Sequence, residues 1–224
     1  MIPFHIATPQ GCNIQTFYGL TSSLSDANDV YRNYQSWNKP VGVSHVYMML
    51  IGGGGEGQGG TPPPPNSGGA SGVVTVWYGA AQHVPNSLLV RAPAEADADF
   101  GDTTVSIWTD DIYDLLTARS GSTTPMSANS FTASGFFQSV GGAPASTGDA
   151  TPSATTFLSS GSDTAVATAN YGYTGGAGSN GYFIMQPIIV GLGGRLNAPD
   201  GGIGCGSHRT SGKAGQGMVL IASW

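Results

Sequence analysis

The sequence predicts an all-β fold: an antiparallel, jelly-roll-like β-sandwich with long Gly/Pro-rich loops and one or two short helices. Three observations carry this expectation. Seven or eight short runs rich in Val, Ile, Phe, Tyr and Trp, several of them alternating with period two, are separated by turn signals. The 224 residues include 36 glycines and 14 prolines, which punctuate the chain between those runs. Helical periodicity is confined to two short stretches. An all-β sandwich often uses a chain of this length as one unit, so residues 1–224 read as a single domain.

Residues 1–36 read as an N-terminal arm. Within it Ser25 is placed to cap a short helix through DANDVYRNYQSW, with Val30, Tyr34 and Trp37 on one face. The first strand is expected at Ser44–Ile51. A Gly/Pro-rich loop follows over 52–72, in which TPPPP favours stiff polyproline II. Its glycine flanks bury almost no side chain, so they are either a linker or backbone packed closely on backbone. In the next strand, Val73–Gly79, both alternating faces are apolar, which predicts cover on both sides.

Strands are then expected at Ser87–Ala92 and Thr103–Thr109. Thr109 is placed to cap a second helix with Ile112, Leu115 and Leu116 facing inward and Gly121 as the stop. A strand at Phe131–Val140 precedes a Ser/Thr/Gly-rich excursion over 141–181, and Tyr182–Val190 and Gly217–Trp224 complete the set. The last run is apolar to its end, which ties it into a sheet.

Composition excludes several classes of function. Only 9% of residues are charged, against about 25% in an average domain, and the net charge is −6. Seven Lys and Arg offer no phosphate-neutralising stripe, so nucleic acid is not expected as the main partner. The apolar stretch Tyr182–Leu192 is interrupted by Gln186 and Pro187 and is too short for a transmembrane segment, and MIPFHIATPQG lacks the pattern of a secretory signal. A surface this poor in charge suits burial against neighbouring subunits better than life as a free monomer.

No chemical motif survives comparison with a plainer reading. Gly55, Gly57 and Gly60, and Gly176, Gly178 and Gly181, match a dinucleotide pattern, but neither loop opens a helix. SGKAGQG has Ala214 where a P-loop needs Ser or Thr. His5, Cys12, Cys205 and His208 would make a Cys₂His₂ zinc site only if two distant segments met, and single buried or solvated residues are the better reading. Asp97, Asp99 and Asp102, and Asp110, Asp111 and Asp114, lack the spacing of a calcium loop; Asp110 and Asp111 suit the N-terminal end of the second predicted helix. No cofactor, metal or catalysis is therefore expected.

The most specific stretch is SWNKPVGVSHVYMMLIGGGGEGQGG: Trp37-x-Lys39-Pro40-x-Gly42, an apolar strand, then an abrupt glycine run. GGASG at Gly68–Gly72, Leu88–Val90 and a closing GKAGQGMVLIASW follow in order. This arrangement resembles the glycine-rich structural proteins of phages and other viruses, including tail-fibre and capsid-associated proteins. The similarity covers about half the chain and departs between Ala92 and Thr174, which leaves open a glycine-sandwich tip or a β-sandwich with glycine loops. Large residues on both faces of the strands favour the latter.

The resemblance implies a virion structural protein without catalytic residues. The expected function is a capsid or vertex subunit that self-assembles as a homo-oligomer through symmetric contacts with itself and other virion proteins. Trp37, Pro40 and Tyr47 are the expected anchors of the buried or inter-subunit part. The alternative is a tail-fibre or spike adhesin binding a host surface glycan or protein. There Tyr171, Tyr173 and Tyr182 would stack on sugar rings, although filling the core suits them better.

Overall fold

The computed structural model describes residues 12–19, 34–55, 70–93, 101–122, 124–141, 203–205 and 214–224, together with the backbone of 181–183 and 186–188. These residues form two antiparallel sheets packed face to face. The larger sheet contains β1 (Asn13–Tyr18), β3 (His45–Ile51), β4 (Val74–Ala80), β8 (Gly135–Val140) and β11 (Met218–Ser223), in the order β1-β11-β3-β4-β8. The smaller contains β2 (Tyr34–Asn38), β5 (Ser87–Arg91), β6 (Thr103–Trp108) and β7 (Ile112–Ala118), in the order β2-β5-β6-β7. The antiparallel all-β sandwich expected from the sequence is the observed architecture. In the smaller sheet β5, β6 and β7 form a meander and β3 lies beside β4 in the larger one, an order that does not identify a jelly roll.

The main core lies between the sheets. Val46, Met48 and Leu50 of β3, Trp77 of β4 and Val219 and Ile221 of β11 meet Trp37 of β2, Leu88 and Val90 of β5, Val105 of β6 and Leu116 of β7. Two hydroxyls bond across this seam: the Thr75 hydroxyl donates to the Thr117 carbonyl at 2.7 Å, and Thr103 donates to that of Ile51 at 2.9 Å. The outer face of the larger sheet is buried as well. Tyr47, Met49 and Ile51 line up there with Val74, Val76, Met218, Leu220 and Ala222. The apolar character of both faces of the fourth strand thus has the expected cause. The backbone of β9 (Gly181–Phe183) approaches β3 and β4, whose inner side is taken by β6 and β7.

Several elements differ from expectation. The helix expected over Ile112–Leu116 is strand β7, paired with β6 from Trp108↔Ile112 onward. The pairing shifts between Val105 and Ser106, which face Leu116 and Asp114, so Leu115 is the extra residue of a β-bulge. A bulge adds one residue to period-two alternation, and Ile112, Leu115 and Leu116 then acquire the spacing of a helix face. Asp110 and Asp111 lie in the hairpin turn: the Ile112 amide donates to the Asp111 carboxylate at 2.8 Å, and the Thr109 amide to the Asp111 carbonyl at 3.0 Å. Of the first expected helix, Tyr34–Trp37 belongs to β2 and the rest lies outside the described residues.

The segment read as an arm therefore supplies two edge strands, since NIQTFY forms β1. Phe131–Ser134 is a turn ahead of β8, with one 3₁₀ turn over Thr132–Ser134. Tyr182–Val190 does not run as one strand. β9 pairs antiparallel with β10 (Gln186–Ile188), and Pro187, which has no N–H to donate, faces Tyr182. The TPPPP run and 142–180 lie outside the described residues.

Among the described residues, the glycines at 52–55, 72, 121, 204, 215 and 217 gather at one end of the sandwich, where backbone packs on backbone. The Gly52 amide donates to Val73 at 2.8 Å, Gly54 to Gly215 at 2.8 Å, Gly55 to Ala70 at 2.7 Å, Gly72 to Gly204 at 2.9 Å and Gly121 to Gly53 at 2.9 Å. A Cβ on Gly72 would overlap the Gly52 carbonyl, and one on Gly52 would overlap the carbonyl of Arg119. Gly42, in the turn before β3, has φ of 84° and open space around it. The two positions therefore need glycine for different reasons. Gly72→Ala is expected to cost about 1–3 kcal/mol through overpacking, and Gly42→Ala about 1–2 kcal/mol through its left-handed backbone. Urea unfolding of the Asn variants separates them: Gly42→Asn recovers stability relative to alanine, whereas Gly72→Asn does not.

Candidate functional site

The end of the larger sheet opposite the glycine layer carries aromatic side chains on its outer face. Alternation along β3 places His45 on the side of Tyr47, and the same period carries Tyr78 of β4 and Trp224, just past β11, onto that face. Phe136 of β8 pairs directly with Tyr78. The His45 and Tyr78 rings lie 5.7 Å apart and 18° from parallel, His45 and Trp224 6.0 Å and 19°, Tyr78 and Trp224 5.8 Å and 13°. Three parallel rings stacked in a column would put the outer two about 7 Å apart. Three mutual separations near 6 Å therefore describe a staggered cluster of offset-stacked rings, too close together to lie side by side in one plane.

The backbone beneath holds this cluster in place. The amides of Ser44 and His45 both donate to the Trp224 carbonyl, at 2.7 and 2.9 Å, and the Trp224 amide donates to the His45 carbonyl at 3.1 Å. The Ser44 hydroxyl donates to the same Trp224 carbonyl at 3.2 Å and lies 3.0 Å from His45 Nδ1. Tyr78 is 37% exposed and Phe136 60%, while His45 and Trp224 are half-buried. A second exposed pair, Trp108 and Tyr113, lies beside the β6–β7 turn on the smaller sheet.

Of the residues expected in the buried or inter-subunit part, Trp37 and Tyr47 are buried within this chain. Trp37 is 1% exposed and lies in the core between the sheets. Tyr47 is 3% exposed, within the outer cluster of the larger sheet, and Pro40 is half-buried beside the Gly42 turn. Tyr171 and Tyr173 lie outside the described residues, and Tyr182 is placed by its backbone in β9. Sequence reading missed His45, Tyr78 and Trp224 as a group. The available signal was an aromatic ring near the end of three apolar strands, but only the pairing register brings those ends together.

The other candidates take structural roles. Cys12 and Cys205 are free thiols, half-buried and buried. Cys12 precedes Asn13, which pairs with Ser223 at the end of β11, whereas the Cys205 carbonyl accepts from Gly215 ahead of that strand's start. The length of β11 separates them, about 20 Å at the rise of a strand, so they neither pair nor share a zinc ion. His5 and His208 lie outside the described residues, as do Asp97 and Asp99. The Asp102 carboxylate accepts from the Ser120 amide at 3.3 Å, and that of Asp114 from the Ser106 hydroxyl at 2.7 Å. Gly55 and Gly215 belong to the backbone layer. Among the described residues no group of three or more His, Cys, Asp or Glu could hold a metal ion, and no helix is long and apolar enough to cross a membrane.

Comparisons with protein-family models, with curated proteins and with solved structures give no match.

Burial pushes the Tyr47 phenol above its ordinary value of 10.0. A group whose pKa is raised on folding holds its proton more tightly in the folded state. Its contribution is intact below the unfolded pKa of about 10 and is lost as pH rises beyond it. Burial also raises the Cys12 thiol from 9.0, against the opposing effect of a hydrogen bond with the Ser223 backbone. Thermal unfolding followed from neutral to alkaline pH in a Cys12→Ser background is expected to show a melting temperature that falls above about pH 10. Tyr47→Phe flattens that fall.

Proposed function

We propose that the protein is a structural subunit of a virus particle, a capsid or vertex protein that assembles through symmetric contacts between copies of itself. One observation carries this reading: a chain with 9% charged residues presents large aromatic rings to solvent on both of its sheets. Phe136 is 60% exposed on the larger sheet, and Trp108 and Tyr113 are 54% and 59% exposed on the smaller. Such rings suit contacts that become buried on assembly, and aromatic residues are enriched at the centres of protein interfaces. Of the four edge strands of the two sheets, β1, β2 and β8 contain no Lys, Arg, Asp, Glu or Pro, and β7 has one such residue, Asp114. These are the devices by which a soluble monomer blunts a sheet edge, and an assembled particle has less need of them. The resemblance of Trp37–Gly42 and the glycine runs to glycine-rich virion proteins points the same way, and a virion location with other virion proteins as neighbours goes with it.

The second reading, a fibre or spike adhesin, is favoured by the aromatic cluster of His45, Tyr78 and Trp224 with the exposed Phe136 beside it, which would meet a host molecule. Electron microscopy with light scattering on the purified chain tests the first reading. Shells, rings or sheets are the expected result, with Phe136→Asp or Tyr113→Asp reducing their size. A discrete trimer that associates no further favours the second reading, and a monodisperse monomer overturns the first.

A further inference from the structure

We propose that two copies of the chain join edge to edge along β8, antiparallel about a two-fold axis, so that their larger sheets run on as one. The inference rests on the self-assembly reading and gives it a contact; the adhesin reading does not depend on it.

Among the described residues β8 is the last strand of the larger sheet and pairs only with β4. A strand in that place turns a row of amides and carbonyls away from its own sheet, and a further strand is their natural partner. The sequence GFFQSV carries no charge, whereas the chain as a whole carries −6. Copies with that net charge meet most readily where neither offers a charged side chain to the other. The edges β1 and β2 are neutral too, but they lie together, with the Gln35 side chain donating to the Tyr18 carbonyl at 2.8 Å. The large apolar side chain most exposed on those two strands is Tyr18, at 41%.

Exposed rings accumulate on the β8 side instead. The segment between β7 and β8 crosses from one edge to the other: the Met126 amide donates to the Ser139 hydroxyl at 2.8 Å, and the Asn129 side chain to the Leu115 carbonyl at 2.9 Å. Phe136 of β8 and Tyr113 of β7 therefore lie on the same side of the sandwich, 60% and 59% exposed, with Tyr78 and Trp108 on the neighbouring strands at 37% and 54%. The carboxylates near Tyr113 are turned to their own chain, Asp111 accepting from the Ile112 amide and Asp114 from the Ser106 hydroxyl. The four rings expose roughly 400 Å², at about 150–250 Å² for a whole aromatic side chain. One partner in a standard interface contributes about 800 Å², and the β8 backbone with Gln138 and Val140 adds to the rings. Alternation then selects the register. Phe136 lies opposite Tyr78 and Gln138 opposite Val76, so both are on the outer face, and Val140 follows them. An axis through Gln138 sets Phe136 of each copy against Val140 of the other, an aromatic against a β-branched residue, and sets Gln138 against itself. An axis through Phe137 would oppose Phe136 to the polar Gln138 instead.

The test uses the full 224-residue chain at low salt, with sedimentation and light scattering reading association. Gln138 is exposed, so Gln138→Lys and Gln138→Glu leave the core alone, and thermal melts check that both variants fold. Each variant by itself should associate about tenfold more weakly than the native chain, because like charges then face each other across the axis. Mixed in equal parts they should associate at least as well as the native chain, since opposite charges now meet. Gln138→Cys in a Cys12→Ser background should form a disulfide between copies on oxidation, with no change of charge. The proposal is overturned if both charged variants associate as the native chain does, which places the contact elsewhere and leaves the particle reading standing. It is also overturned if they dissociate, mixing restores nothing and the cysteine variant does not cross-link. Dimers that cross-link but never grow into particles support this joint and count against the particle reading. A native chain that stays monomeric overturns both.

Discussion

Backbone that leaves water must find hydrogen-bond partners, and at one end of this sandwich it finds them in other backbone. Residues 52–55, 70–73, 119–121, 203–205 and 214–217 come from five parts of the chain and exchange amide-to-carbonyl bonds of 2.7–2.9 Å. Side chains would keep these segments apart: a Cβ on Gly52, Gly72 or Gly121 meets a neighbouring backbone atom. Glycine is thus the condition for burying this end without orphaned polar groups. The runs that look like linkers in the sequence are the packed layer that closes the fold.

That layer also constrains the far end of the sheet. The Gly52–Val73 bond continues the ladder of β3 and β4, and Gly215–Gly217 leads straight into β11. A slip of one residue in either pairing would turn every side chain to the opposite face. With the register held, Tyr47, Met49 and Ile51 stay in the outer cluster, and His45, Tyr78 and Trp224 emerge together. The grouping of these rings thus depends on the register held at the glycine layer, at the other end of the same strands.

Charge is scarce throughout, and the few charged groups in view hold local structure. Lys39 donates to the carbonyls of Ala81 and Val84, at 3.0 and 2.7 Å, and so braces the short turn between β4 and β5. Arg91 donates to the Asp102 carbonyl and lies over the Tyr34 ring. Residues with these duties do not advertise a charged ligand. What the described surface offers instead is aromatic area, at Trp108, Tyr113 and Phe136.

Much of this was legible along the chain. The runs that became β3, β4, β5, β6 and β11 are recognisable by their β-branched and aromatic residues and lie within a residue or two of their expected bounds. The apolar character of both faces of VVTVWYG announced a strand covered on both sides. Local pattern failed where a tertiary feature altered it: a bulge gave Ile112, Leu115 and Leu116 a helical spacing, and a chain reversal divided the run beginning at Tyr182. Trp37 and Tyr47, expected in the buried or inter-subunit part, are buried, whereas His45, Tyr78 and Trp224 are far apart in sequence and could not be grouped from it. Composition and alternation by themselves determined the all-β class and the scarcity of charge, because each is a property of neighbouring residues; whether the glycine stretches were linker or packed backbone they left open. Which strands pair, in what register, and therefore which rings share a face was decided only in the tertiary structure, because hydrogen-bond ladders join residues that nothing in the local sequence connects.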